Sequence, residues 1–255
     1  MQSGKPNPIP SHSATDVYVR SRGVTVRVNP PGTYAETGGI DGNRLVLQVV
    51  RPGRSNLALF DLTRRRLAYL PSSVNDGAWL WRPDVDGNRV LYGAVVPGES
   101  SMLRYEIRLA DLGNGRVRTL ARLDGHAAYA APGQLSGRWA TWVSCPDNVC
   151  NVQREDLVTG RVDAPPDTEH LSHWQLGPAV DANGVVYFSR GLSGCGEAQL
   201  RRWDGRRTTT LVRLPPNYGL QYSYLDKSTR RLYFDLVGCD RAARSDIYRT
   251  QRAMP

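Results

Sequence analysis

Large aromatic side chains stand at Tyr34, Trp79, Tyr129 and Trp174, each seven residues ahead of a short turn. A fifth turn has Gly219 at that offset, with Tyr218 beside it. Trp81, His126, His170, His173 and Tyr222 fall in the same stretches. Tyr and Trp offer a flat apolar face and a polar tip, which suits a sugar, a peptide or another small ligand. The candidate ligand-binding set is therefore Tyr34, Trp79, Trp81, Tyr129, His173, Trp174 and Tyr222. A competing reading treats the same positions as packing residues, because a strictly repeated position is commonly a packing position.

Catalytic and metal chemistry leave fainter traces. No Gly-x-Ser-x-Gly elbow, His-Glu-x-x-His pair or Walker loop occurs. A glycosidase needs two carboxylates about 5 to 10 Å apart. Glu36, Asp76, Asp124, Asp167 and Glu169 are available, but their spacing singles out no pair. Asp84-Val85-Asp86-Gly87-Asn88 looks like the start of a calcium loop, yet the remaining EF-hand ligands are missing. Cys145 and Cys150 share one loop, and Cys195 and Cys239 occupy the equivalent loop of two later repeats. This even, paired arrangement predicts disulfides and an exported protein. Zinc is the rival for the Cys-x4-Cys spacing, but no histidine lies close by in sequence. No metal or cofactor is expected.

These residues need a scaffold, and the turns supply its pattern. The anchors are Asp41, Asp86, Ser136, Asp181 and Asp226, about 45 residues apart, a period typical of propeller blades. Each anchor follows an apolar run, such as Tyr34 to Ile40, and precedes a β-branched or aromatic one, such as Leu45 to Val50. A second run ending in Asp and a third short run complete four strands per repeat. No helical apolar stripe persists over eleven residues, and 25 Gly with 17 Pro supply many turns. The fold class is all-β: a five-bladed propeller of four-stranded antiparallel blades. The fifth repeat is one strand short, and Val24 to Val28 is expected to close the ring. Asp16 to Val19 fits an added outer strand or part of a further blade, so six blades are the alternative.

The anchor and its strand resemble the TolB-like propeller repeat, related to WD40-like repeats. The closest copies run from Gly177 to Ser189 and from Arg82 to Tyr92. The resemblance covers about 220 residues at the level of the repeat. It implies a propeller and, in part of the family, a periplasmic or extracellular protein-binding role; it transfers no catalytic residue. The third repeat departs from the pattern at Ser136, so its turn is expected to be distorted.

Residues 1–15 read as a flexible leader and 16–255 as one propeller domain. No apolar run is long enough to span a membrane, and the first thirty residues lack a signal-peptide core. Net charge is +9, and of 33 basic residues only Lys5 and Lys227 are lysines. The arginines are spread over every repeat, which argues against a nucleic-acid face. Together these features predict a non-catalytic, extracellular or periplasmic propeller that binds a protein or glycan partner. A glycan-active hydrolase or lyase and an anion or nucleic-acid binder are the alternatives.

Overall fold

The computed structural model describes residues 15–21, 23–98, 102–125, 127–147, 149–166, 173–192, 198–215, 218–220, 222–238, 246–250 and 254. Five antiparallel sheets follow one another along the chain, and the described residues contain no helix. Blade 1 comprises β3 (Tyr34–Asp41), β4 (Arg44–Arg51), β5 (Arg54–Asp61) and β6 (Arg66–Tyr69). Blade 2 comprises β7 (Trp79–Asp86), β8 (Arg89–Pro97), β9 (Leu103–Asp111) and β10 (Val117–Asp124). In blade 3 the strands are β11 (Tyr129–Ser136), β12 (Trp139–Cys145), β13 (Asn151–Asp156) and β14 (Arg161–Asp163). Those of blade 4 are β15 (His173–Val180), β16 (Val186–Leu192), β17 (Gln199–Trp203) and β18 (Thr208–Arg213). In blade 5, β19 (Tyr218–Gly219) and β20 (Ser223–Asp226) both pair with β21 (Arg231–Gly238), whose other edge carries β22 (Asp246–Arg249). The innermost strands β3, β7, β11, β15 and β20 each end at an anchor. Five blades, not six, are present.

The N-terminal strand does not take the expected position among the described residues. β2 (Val24–Arg27) pairs with β1 (Tyr18–Ser21), and neither pairs with blade 5. The hairpin lies instead against blade 1, where Val17 and Val28 pack with Ala35, Leu45 and Leu47. Its apolar residues find a ready-made wall there, since β4 carries Leu45, Leu47 and Val49 on one face.

Four blade interfaces share an apolar core. Val46 and Leu57 meet Leu80, Val90 and Tyr92 between blades 1 and 2. Leu91 and Ile107 meet Leu135 and Trp142 between blades 2 and 3. Val143 and Val152 meet Val186 and Phe188 between blades 3 and 4. Tyr187 and Leu200 meet Leu225 and Phe234 between blades 4 and 5. No described residue of blade 5 joins the cluster on the open face of blade 1.

Two of the anchors tie neighbouring blades together. Asp41 accepts the Gly87 amide at 2.8 Å, and Arg44 donates to the Gly87 carbonyl at 2.6 Å. Asp86 accepts the Gly137 amide at 2.8 Å, and Arg89 donates to the Gly137 carbonyl. The turn after Ser136 is not distorted: Gly137 has φ 55°, as do Gly42 and Gly87. Ser136 lacks the carboxylate, and a different contact joins blade 3 to blade 4. Trp139 lies flat on Gly184, and Arg154 donates to the Gly184 carbonyl from between the rings of Trp139 and Trp203.

Blade 5 is fastened through the channel. Counting two residues back from each anchor gives Gly39, Asp84, Gln134, Ala179 and Tyr224. Gln134 exchanges two hydrogen bonds with the Leu225 backbone, at 3.1 and 2.8 Å. The Tyr224 hydroxyl accepts the Ile40 amide at 3.3 Å. Lys227 donates to the Val85 carbonyl at 2.8 Å and lies 3.4 Å from Asp84 and 3.5 Å from Asp86. Asp84 is 3% exposed and also accepts the Leu135 amide at 2.7 Å. A Cβ on Gly39 would sit 1.5 Å from the Asp84 carboxylate, so only glycine fits opposite it. Burial pushes the Asp84 carboxyl above its usual range, and the Lys227 ammonium and Leu135 amide oppose that shift.

Two predictions follow the ring. Lys227→Met strands Asp84 without its cation, which costs about 3 to 5 kcal/mol. Because the folded-state pKa of Asp84 is raised, the loss should deepen as pH rises through and above the ordinary carboxylate range and shrink in acid. Chemical denaturation at several pH values checks this, and Asp84→Asn in the same chain should flatten the dependence. Separately, Arg65 holds φ 54° in the β5–β6 turn, where the β9–β10 and β13–β14 turns have Gly115 and Gly160. Arg65→Gly should stabilise the protein by about 0.5 to 1 kcal/mol, read as a higher Tm, whereas Arg64→Gly should not.

Candidate functional site: the channel mouth

The inner strands begin on one side of the disc and reach the anchors on the other. Midway, each of the first four shifts register, as between Thr37 and Ile40 in β3 or Trp81 and Asp84 in β7. In blade 5 the break between β19 and β20 falls at the same place. Such bulges re-aim side chains. In β7 the bulge holds Arg82 at φ 45°, a left-handed backbone that its counterpart in β15, Gly177, shares at φ 54°.

Arg82 is thereby placed across the channel from blade 5. Its guanidinium carbon lies 5.1 Å from the Trp81 ring centroid and 4.5 Å from that of Tyr222, and it donates to the Tyr222 hydroxyl. Trp81 meets Tyr129 edge-on at 5.3 Å, and Tyr129 meets Tyr105 at 5.6 Å. Trp81 rests on Gly93, where a Cβ would fall 2.0 Å from the indole nitrogen. Burial pushes the Tyr129 phenol up to about 12 against the opposing pull of Arg82, so it is a neutral hydrogen-bonding group at neutral pH. Tyr222 stays 44% exposed, while Trp81, Arg82 and Tyr129 are half-buried. Further along the channel the Asp84–Lys227 and Gln134–Leu225 contacts cross between blades.

Three of the sequence-predicted residues thus converge: Trp81, Tyr129 and Tyr222. Tyr34 is exposed at the start of β3, while Trp79 and Trp174 are half-buried at the starts of β7 and β15. No aromatic contact links these three to the cluster among the described residues. His173 opens β15. His126, Asp167, Glu169, His170, Cys195 and Cys239 lie outside the described residues. Two candidate carboxylates are already engaged, Asp76 with Arg108 at 2.7 Å and Asp124 with Arg104 at 2.8 Å. Asp84 and Asp86 hold Lys227 where a calcium loop would hold its ion. Cys145 and Cys150 form a disulfide in the β12–β13 loop, and Cys145 is the cross-strand partner of Tyr129.

Arg82 is the residue that sequence reasoning missed. The repeat carried no signal for it: the equivalent positions are Thr37, Pro132, Gly177 and Tyr222, and of these only Gly177 shares its left-handed backbone. Two cavities lie at the opposite, anchor side. One of about 360 Å³ sits between blades 3 and 4 around the Arg154–Asp163 ion pair. The other, of about 230 Å³, lies beside Asp181, Leu225 and Arg230.

No protein-family model and no curated protein sequence matches the chain. Solved structures do. The TolB structure from Agrobacterium tumefaciens matches with TM-score 0.61 at 16% identity, over 85% of this chain and 75% of that one. A puromycin-hydrolyzing peptidase of Mycobacterium tuberculosis matches with TM-score 0.63 at 13% identity, over 92% of this chain but 43% of that one. An oligogalacturonate lyase in complex with manganese matches with TM-score 0.51 at 14% identity, over 92% and 69%. At these identities the likeness is one of fold: the chain is a five-bladed β-propeller whose fold resembles that of TolB.

Proposed function

We propose that this protein is an exported, non-catalytic recognition propeller that binds a protein or glycan partner at the side where its inner strands begin. The observation that carries this reading is the cluster of Arg82, Trp81, Tyr129 and the exposed Tyr222 at the channel mouth. Amphipathic aromatics and a stacked arginine are the side chains that dominate recognition surfaces. The Cys145–Cys150 disulfide supports an oxidising compartment. Tyr34, Trp79, His173 and Trp174 would form the wider rim of the same surface.

The test is a binding screen of the whole chain against arrays of glycans and of extracellular and periplasmic proteins. The expected result is one ligand class whose affinity falls at least tenfold in Tyr222→Ala, on the scale of a hot-spot loss of about 2 kcal/mol, with Tm unchanged. Binding that is indifferent to Tyr222→Ala would place recognition elsewhere and sink this reading.

A further inference from the structure

Arg82 differs from the arginines around it in what it faces. Arg104 and Arg108 in the same blade each hold a carboxylate within 2.8 Å. Among the described residues no carboxylate lies within ion-pairing distance of Arg82, and its hydrogen bond goes to the neutral Tyr222 hydroxyl. The Asp235 carboxylate accepts the Tyr222 amide at 2.8 Å, and Asp84 and Asp86 are held by Lys227. A guanidinium carries five N–H donors in a fixed fork that matches a carboxylate. Among the described residues its acceptor is the Tyr222 hydroxyl, and the rings of Trp81 and Tyr222 pack on the guanidinium. The arginine is also kept in a left-handed backbone, where Gly177 in blade 4 avoids the strain. Strain held at a residue that lines the channel mouth is a pointer to function.

We infer that the mouth reads a carboxylate, the Asp or Glu side chain of an extended acidic segment on a partner protein, with Arg82 as the group that binds it and Trp81 and Tyr222 as its walls. This rests on the recognition reading above and narrows it to an acidic peptide. The net charge of +9 attracts such a segment over distance. The paired rings accept the apolar atoms flanking the carboxylate.

The test uses the whole chain and an array of acetyl- and amide-capped hexapeptides with a central Asp or Glu, each with an Asn or Gln twin. The expected result is at least tenfold tighter binding of acidic members than of their twins. Arg82→Gly should abolish that difference while Tm stays equal or rises, since glycine suits the backbone. Equal binding of twins, or a preference that survives Arg82→Gly, overturns the carboxylate assignment. The recognition reading then still stands if Tyr222→Ala removes binding of both kinds. Binding of neither kind overturns the acidic-peptide assignment, and the glycan array decides the broader reading. Sodium acetate is the competitor: full displacement at low millimolar concentration means a free carboxylate suffices and overturns the peptide half of the inference.

Discussion

A ring of sheets is only as secure as its weakest joint, and here that joint is bridged by polar contacts through the middle. Blade 5 shares an apolar core with blade 4, but none with blade 1 among the described residues. What holds it is a set of bonds from one short strand and its turn. Tyr224 reaches blade 1, Lys227 reaches blade 2 and Leu225 reaches blade 3. Each neutral hydrogen bond contributes only about 1 kcal/mol net, but leaving its buried partner unsatisfied costs more than the bond gives. The bonds that close the ring therefore run across the channel itself.

The same constraint divides what the sequence disclosed from what it hid. The blades were legible because turns must recur wherever strands reverse, and Asp, Gly and Asn suit those turns. The strand starts at Tyr34, Trp79 and Tyr129 also stand where the spacing predicts. The purpose of the anchor aspartates was not legible. Asp41 and Asp86 bind glycine amides one repeat away, a pairing that no local pattern announces. Ser136 shows the limit of reading a motif by its commonest residue. Its turn keeps the standard backbone, and the missing link to blade 4 comes from Trp139 and Arg154.

The mouth was half legible for a related reason. Aromatic type alone pointed to Trp81, Tyr129 and Tyr222, but also to Trp79 and Trp174, which the fold spreads around the rim. The contact between Arg82 and Tyr222 joins blades that are not neighbours, so neither period nor adjacency suggests it. The bulge in the inner strand decides which side chain faces the axis, and a bulge leaves little trace in an alternating pattern. Val24 to Val28 is expected to close the ring because blade 5 is one strand short in the sequence; among the described residues β2 pairs with β1 instead. An apolar wall on blade 1 proved the stronger attraction.

The grip of one anchor on the next glycine has a direction, from blade 1 to 2, from 2 to 3 and, by Arg154, from 3 to 4. In the language of assemblies this is a head-to-tail contact, and such contacts contain no instruction to stop. A copy of the repeat spliced between two blades would inherit both halves of the grip. Stoichiometry must therefore be written elsewhere, in lengths measured across the axis. Gln134 can meet Leu225, and Lys227 can meet Asp84, only in a ring narrow enough for one side chain to span it. The number of blades is thus counted by the reach of a glutamine and a lysine.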